Sequence, residues 1–153
     1  MRPISEIMTR DVAVIEPDAD LRRAATMMRD LNVGALPVCD GIRLVGMITD
    51  RDIVVRATAK GVTPDAAKVA DVMSKEVSWC FEDQTPGEVL QLMGDRQLRR
   101  IPVVSRDMEL RGVVALGDLA DEGMHTEKTL DEISRPAPPQ PKTTGKQPTR
   151  SRS

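Results

Sequence analysis

Two stretches of the chain place reactive side chains where an apolar strand runs into a helix. "GMITDRDI" (Gly46–Ile53) puts a hydroxyl, two carboxylates and a guanidinium at such a junction, and "GVVALGDL" (Gly112–Leu119) repeats the device with parts removed. Thr49 would stand where the strand ends, its hydroxyl beside the free N–H groups of the first helical turn, an arrangement that suits a phosphate. Asp52, one turn on, can accept hydrogen bonds from two adjacent hydroxyls, as a carboxylate does with a ribose diol. Arg51 between them could add charge to a phosphate contact. The same residues also make an ordinary helix start, with Thr49 as N-cap and Asp52 as a first-turn acid. In the second stretch Ala115, Leu116 and Gly117 stand in place of Thr49, Asp50 and Arg51, and only Asp118 survives.

Self-comparison explains why the two stretches match. At a shift of 65 residues, positions 4–39 align without a gap and seven pairs are identical: Met8/Met73, Val12/Val77, Asp18/Asp83, Met28/Met93, Asp30/Asp95, Pro37/Pro102 and Val38/Val103. Chance alone would give about two. After one inserted residue Gly46 falls on Gly112 and Asp52 on Asp118. The chain is therefore an internal duplication.

Each copy predicts the same elements: a short amphipathic turn (Ile4–Met8; Val69–Met73), a strand (Val12–Ile15; Val77–Phe81), and a helix. In copy one the helix carries Leu21, Ala24, Ala25, Met28 and Leu31 at helical spacing. In copy two it opens on the capping box of Thr85, Pro86 and Glu88. Short buried strands follow ("ALPVC"; "RIPVV"), then a third strand (Leu44–Thr49; Leu110–Ala115) and a last helix (Asp50 to about Ala59; Leu116 to about Glu122). The fold class expected is α+β, two tandem β-α-β-β-α repeats that can bury their exposed sheet faces against each other. The expected division is residues 1–64 for repeat 1 with its linker, 65–124 for repeat 2, 125–133 for a short terminal helix, and 134–153 for a disordered basic, Pro-rich tail.

Composition narrows the function. From Ser134 onward there are five basic residues and no acid; 22 basic residues less these five leaves 17 against 24 acids, so residues 1–133 carry a net −7. An acidic body with one Trp, one Phe and no Tyr argues against nucleic-acid binding, leaving only the tail to contact it electrostatically. No apolar run approaches the roughly 20 residues of a membrane span, and the start lacks an apolar leader core, so a cytoplasmic location is expected. Two cysteines make no disulfide framework, and Cys39, Cys80 and His125 lack metal-ligand spacing. No nucleophile–base pair can be named, so an enzyme is not expected.

With "ALPVCD", "GMITDRDI", "RRIPVVS" and "GVVALGDL" in place, residues 3–122 closely resemble a tandem cystathionine-β-synthase (CBS) domain pair of the small stand-alone bacterial type. The resemblance implies repeats packed as a pseudo-twofold pair, a four-repeat disc of two chains, and clefts between repeats that bind adenosine-type ligands such as AMP, ADP, ATP, S-adenosylmethionine or NAD. It implies no required cofactor: the adenine nucleotide is a regulatory ligand in an energy-sensing or stress-response role, read by an unknown protein partner. Carried over by position, Thr49, Arg51 and Asp52 would face Ser74, Val77, Arg99 and Arg100, while Asp118 would pair with Thr9, Val12, Gly34 and Ala35. On side chains the Thr49 cleft ranks first. The competing readings are a ligand-independent interaction scaffold and nucleic-acid binding through the tail.

Overall fold

A computed structural model describes residues 2–135. The basic tail expected from Ser134 lies, beyond Arg135, outside the described residues. Each repeat builds one antiparallel hairpin: β1 (Ala35–Asp40) with β2 (Arg43–Thr49), and β4 (Arg100–Val104) with β5 (Leu110–Ala115). The first-strand segment of each repeat adds alongside in parallel. In repeat 2 it is β3 (Cys80–Phe81) on β4; in repeat 1 it is the single bridge Ile15–Val38.

The expected strands Val12–Ile15 and Val77–Phe81 are thus much shorter than the alternation suggested. The reason is where their leading residues go. Thr9 exchanges both backbone hydrogen bonds with Val113 of repeat 2 (2.9 Å each), and Ser74 does the same with Met47 of repeat 1 (2.8 and 3.0 Å). Residues 10–14 and 75–79 therefore span between repeats instead of joining a ladder.

The lead-in turns are exchanged with them. The 3₁₀ turn Ile4–Glu6 packs with Met8 into the repeat 2 core, beside Val89, Met93, Ile101, Val103, Val114 and Leu119. Val69 and Val72 of α3 (Val69–Val72) pack into the repeat 1 core with Ile15, Leu21, Met28, Val38 and Ile48. A third cluster of Cys39, Leu44 and Val104 joins the two hairpins, whose strands also bond through Leu44 N to Met108 O (3.0 Å) and Leu110 N to Ile42 O (2.8 Å).

Helix α1 (Leu21–Leu31) starts on Asp20, which accepts from the Arg23 N–H, and stops at Asn32 in the left-handed region. Leu21, Ala24 and Met28 are buried; Ala25 and Leu31, counted on the apolar face by spacing, are exposed. The linker is pinned to its start, since Leu21 N donates to the carbonyls of Pro64 and Ala67. Helix α4 (Pro86–Asp95) has the expected capping box, and the Thr85 amide and hydroxyl donating to Glu88 hold that exposed carboxyl below the usual range.

Of the two motif helices, the first is shorter than expected and the second ends about where expected. Helix α2 runs Asp50–Arg56, followed by a 3₁₀ turn Thr58–Lys60 closed by Gly61 at φ 77°, and α5 runs Leu116–Asp121 before Gly123 at φ 82°. Terminal helix α6 (Glu127–Ser134) lies on α4, with Thr129 buried and Ile133 packed on the repeat 2 core. Gln97 holds its end by donating to the carbonyls of Glu132 (2.9 Å) and Arg135 (3.0 Å).

Candidate functional site: two unequal clefts between the repeats

The shared glycine of each motif is dictated by the crossing of the lead-in segments. A Cβ built on Gly46 would meet the Ser74 carbonyl and Met73 Sδ at 2.8 Å, and one on Gly112 would meet the Thr9 carbonyl at 2.5 Å. These glycines let the other repeat's backbone lie against the strand.

The larger cleft, of about 590 Å³, is the one beside the reduced motif. Asp118, Thr9, Val12, Gly34 and Ala35, grouped together by the resemblance, all line it. Repeat 2 supplies Asp118 and Val113 from α5 and β5. Repeat 1 supplies Thr9, Asp11, Val12 and Ala13 of the spanning segment, the loop Asn32–Gly34 between α1 and β1, and Ala35 at the start of β1. Arg100, expected opposite Thr49, also lines this cleft; it sits at the start of β4 paired with Ala115, next to the helix start that carries Asp118. Asp118 Oδ2 accepts from the Ala115 N–H at 2.8 Å, which fixes the carboxylate. Among the described residues no cation lies within ion-pair distance of it. The cleft thus offers apolar walls, the oriented Asp118 carboxylate with an unspent oxygen, the Arg100 guanidinium and a second carboxylate, Asp11; the walls suit a flat ring, the oriented carboxylate a diol and the guanidinium an anion.

The pseudo-equivalent cleft is built differently. Thr49 is a working N-cap: its Oγ1 accepts from the Asp52 N–H (3.0 Å), and Asp52 Oδ2 accepts from the Thr49 N–H (2.9 Å). The other first-turn donors are also spent, Asp50 N on the Gly34 carbonyl (2.9 Å) and Arg51 N on Asp50 Oδ1 (2.8 Å). The free N–H groups expected for a phosphate there are therefore satisfied within the chain. Asp52 faces Arg56 at 3.9 Å. A groove of about 470 Å³ runs on this side past Val77, Trp79, Leu92 and Arg96, and Thr49, Arg51, Asp52, Ser74, Arg99 and Arg100 are not in its lining. Sequence reading missed the placement of Arg100, and missed Arg56. The second was available as an i, i+4 partner of Asp52 on one helix face.

Cys39 and Cys80 are buried in different clusters, and burial pushes their thiols up to about 11 and about 12, so both stay protonated. His125 is exposed. Among the described residues no group of three or more His, Cys, Asp or Glu converges as a metal site, and no helix is long and apolar enough to cross a membrane.

Comparison with known proteins agrees with this architecture. The profile of the CBS domain matches residues 4–57 and 69–125. The CBS domain-containing protein YhcV of Bacillus subtilis is 40% identical over 127 residues, 83% of this chain and 89% of its own. Hypoxic response protein 1 of Mycobacterium tuberculosis is 36% identical over 121 residues, 78% of this chain and 84% of its own. The crystal structure of Hypoxic Response Protein I with two coordinated zinc ions superposes with a TM-score of 0.72 at 35% identity, covering 80% of this chain and 99% of that one. CBSX2, solved in complex with AMP, shares the fold at a TM-score of 0.69 and 23% identity, covering 80% of this chain and 96% of that one.

Proposed function

Because the chain belongs to the CBS-domain family, as two CBS repeats in one module, we propose that it is a non-enzymatic regulatory module that binds an adenosine-type ligand in the Asp118 cleft and signals to a protein partner. The observation that carries this reading is the convergence of Asp118, Thr9, Val12, Gly34, Ala35 and Arg100 from both repeats on one open cleft of about 590 Å³. Asp118 takes the ribose diol, Val12 and its apolar neighbours take the base, and Arg100 supplies the cation that the reduced motif lacks for a phosphate. The AMP bound to CBSX2, a protein of the same fold, supports the ligand class. Binding draws the repeats together across the cleft, so a ligand that prefers one packing shifts the population read by the partner.

The test is a thermal-shift series with AMP, ADP, ATP, S-adenosylmethionine and NAD. A ligand at 100 times its dissociation constant stabilises by about 2.7 kcal/mol, a shift of several degrees for a chain of this size. One of the five should produce it, and Asp118→Ala should remove most of it. Five unmoved melting curves at millimolar ligand would sink the reading, as would a shift that Asp118→Ala leaves intact.

Two chains associate in this proposal, following the disc that the resemblance implies. Val54 and Val55 of α2, 58% and 47% exposed, give repeat 1 an apolar helix face of its own. Sedimentation equilibrium should return twice the 16.8 kDa chain mass; a single-chain mass at tens of micromolar protein would exclude the dimer.

A further inference from the structure

Asp52 and Asp118 occupy the same place in the two repeats, yet the structure treats them differently. Asp52 Oδ2 accepts from the Thr49 N–H at 2.9 Å, as Asp118 Oδ2 accepts from Ala115, but Asp52 also has a cationic partner, Oδ1 lying 3.9 Å from Arg56 Nε. The pair is largely withdrawn from water, with side chains 13% and 27% exposed, so solvent screens it less than a surface pair. Arg56 also reaches across the repeat boundary: its Nη1 stands 3.4 Å from the carbonyls of Val72 and Met73, immediately ahead of Ser74. The guanidinium therefore ties α2 of repeat 1 to the segment of repeat 2 that would form the opposite wall of the Thr49 cleft.

Repeat 2 reverses this. The residue in register with Arg56 is Glu122, four positions after Asp118 as Arg56 is four after Asp52. Glu122 carries no charge that could neutralise Asp118, and it pairs outward with Arg2. Asp118 keeps an unspent oxygen on an open cleft.

We infer that Arg56 acts as a built-in occupant of the Thr49 cleft, holding the carboxylate that would otherwise bind a diol, so that each chain takes one nucleotide and not two. This rests on the Asp118 reading only for where the first nucleotide goes. A diol entering the Thr49 cleft must part Arg56 from Asp52 and from the two carbonyls, whereas one entering the Asp118 cleft displaces no side-chain cation. Copy one keeps the fuller motif but is closed by its own arginine; copy two has lost the hydroxyl and is open.

Equilibrium dialysis with AMP as the probe reads the stoichiometry directly. The wild-type chain should bind one AMP. Arg56→Ala and Arg56→Gln should each bind two, Arg56→Ala with Asp118→Ala should bind one, and adding Asp52→Ala to that pair should bind none. Arg56→Gln keeps a side-chain donor near the Val72 and Met73 carbonyls, so it decides the matter if the alanine variant does not fold. Two AMP per wild-type chain, or one AMP per folded Arg56→Gln chain, would overturn the inference. A wild type that binds none beside an Arg56 variant that binds one would uphold Arg56 and remove the Asp118 reading. No binding by any of the folded chains would remove both.

Discussion

Replacing Ile4 by alanine, at the very start of the chain, is expected to lower stability by about 2–5 kcal/mol. Residues this near a terminus usually fray and tolerate change. Ile4 does not fray, because it is fully buried in the core of the repeat it does not belong to, with Met93, Ile101 and Leu119. Its backbone is held there as well: Ile4 N donates to the Gln84 carbonyl (2.9 Å) and Ser5 N to that of Glu82 (3.1 Å). Deleting the side chain leaves a cavity that these fixed neighbours cannot collapse around, so the cost includes a cavity contribution beyond the lost transfer energy. The exchange also makes each core depend on the other repeat's lead-in segment. Unfolding should therefore remain one transition, with Trp79 fluorescence in repeat 2 and far-ultraviolet circular dichroism of the whole chain giving coincident midpoints. Lys128→Ala on the exposed face of α6 is the control and should fall within about 0.5 kcal/mol of wild type. An Ile4→Ala chain as stable as that control would show the exchanged packing to be wrong.

Much of this was legible in the residues, for a definite reason. Duplication converts a weak local signal into a comparison. Thr49 and Asp52 alone are an ordinary cap, and only the alignment of Asp52 with Asp118 separates a recurring carboxylate from a helix start. The hairpins and helices were legible because their apolar period and capping residues are local. The grouping of Thr9, Val12, Gly34 and Ala35 with Asp118 came from the resemblance, and these residues lie along one cleft. What stayed hidden depends on where a backbone goes once it leaves its own repeat. No pattern in "TRDVAVI" says that Thr9 will bond to Val113, so strand length was overestimated and the cross-repeat cores were not foreseen. Which cleft stands open was hidden too, since it turns on a side-chain pairing, Arg56 with Asp52, that competes with any ligand. Ranking the clefts by residue type favoured the fuller motif; ranking them by which carboxylate already has a cationic partner favours the other.

Gly112→Val joins the fold to the cleft in a single position. By strand propensity valine should suit β5 better than glycine does. The crossing segment reverses that preference: a Cβ here would sit 2.5 Å from the Thr9 carbonyl, and 2.8 Å from Met8 Sδ. The sulfur can swing aside, but the carbonyl belongs to a backbone bonded both ways to Val113 at 2.9 Å. Either that bridge breaks or β5 bends away from β4. Overpacking of this kind costs about 1–3 kcal/mol and occasionally more. Since Thr9 and Val12 form one wall of the Asp118 cleft, the same displacement should weaken AMP binding by at least about tenfold, the equivalent of ~1.4 kcal/mol. Gly117→Ala provides the contrast five residues on. Nothing lies within 4 Å of its Cβ, and it sits in helix α5, where alanine gains up to about 1 kcal/mol over glycine. That variant should be as stable as wild type or more so, and should still bind. If Gly112→Val melts with the wild type, the close passage of one repeat's backbone over the other's strand cannot be what the motif glycine serves. If it is destabilised but binds AMP undiminished, the wall formed by Thr9 and Val12 is not part of the ligand site.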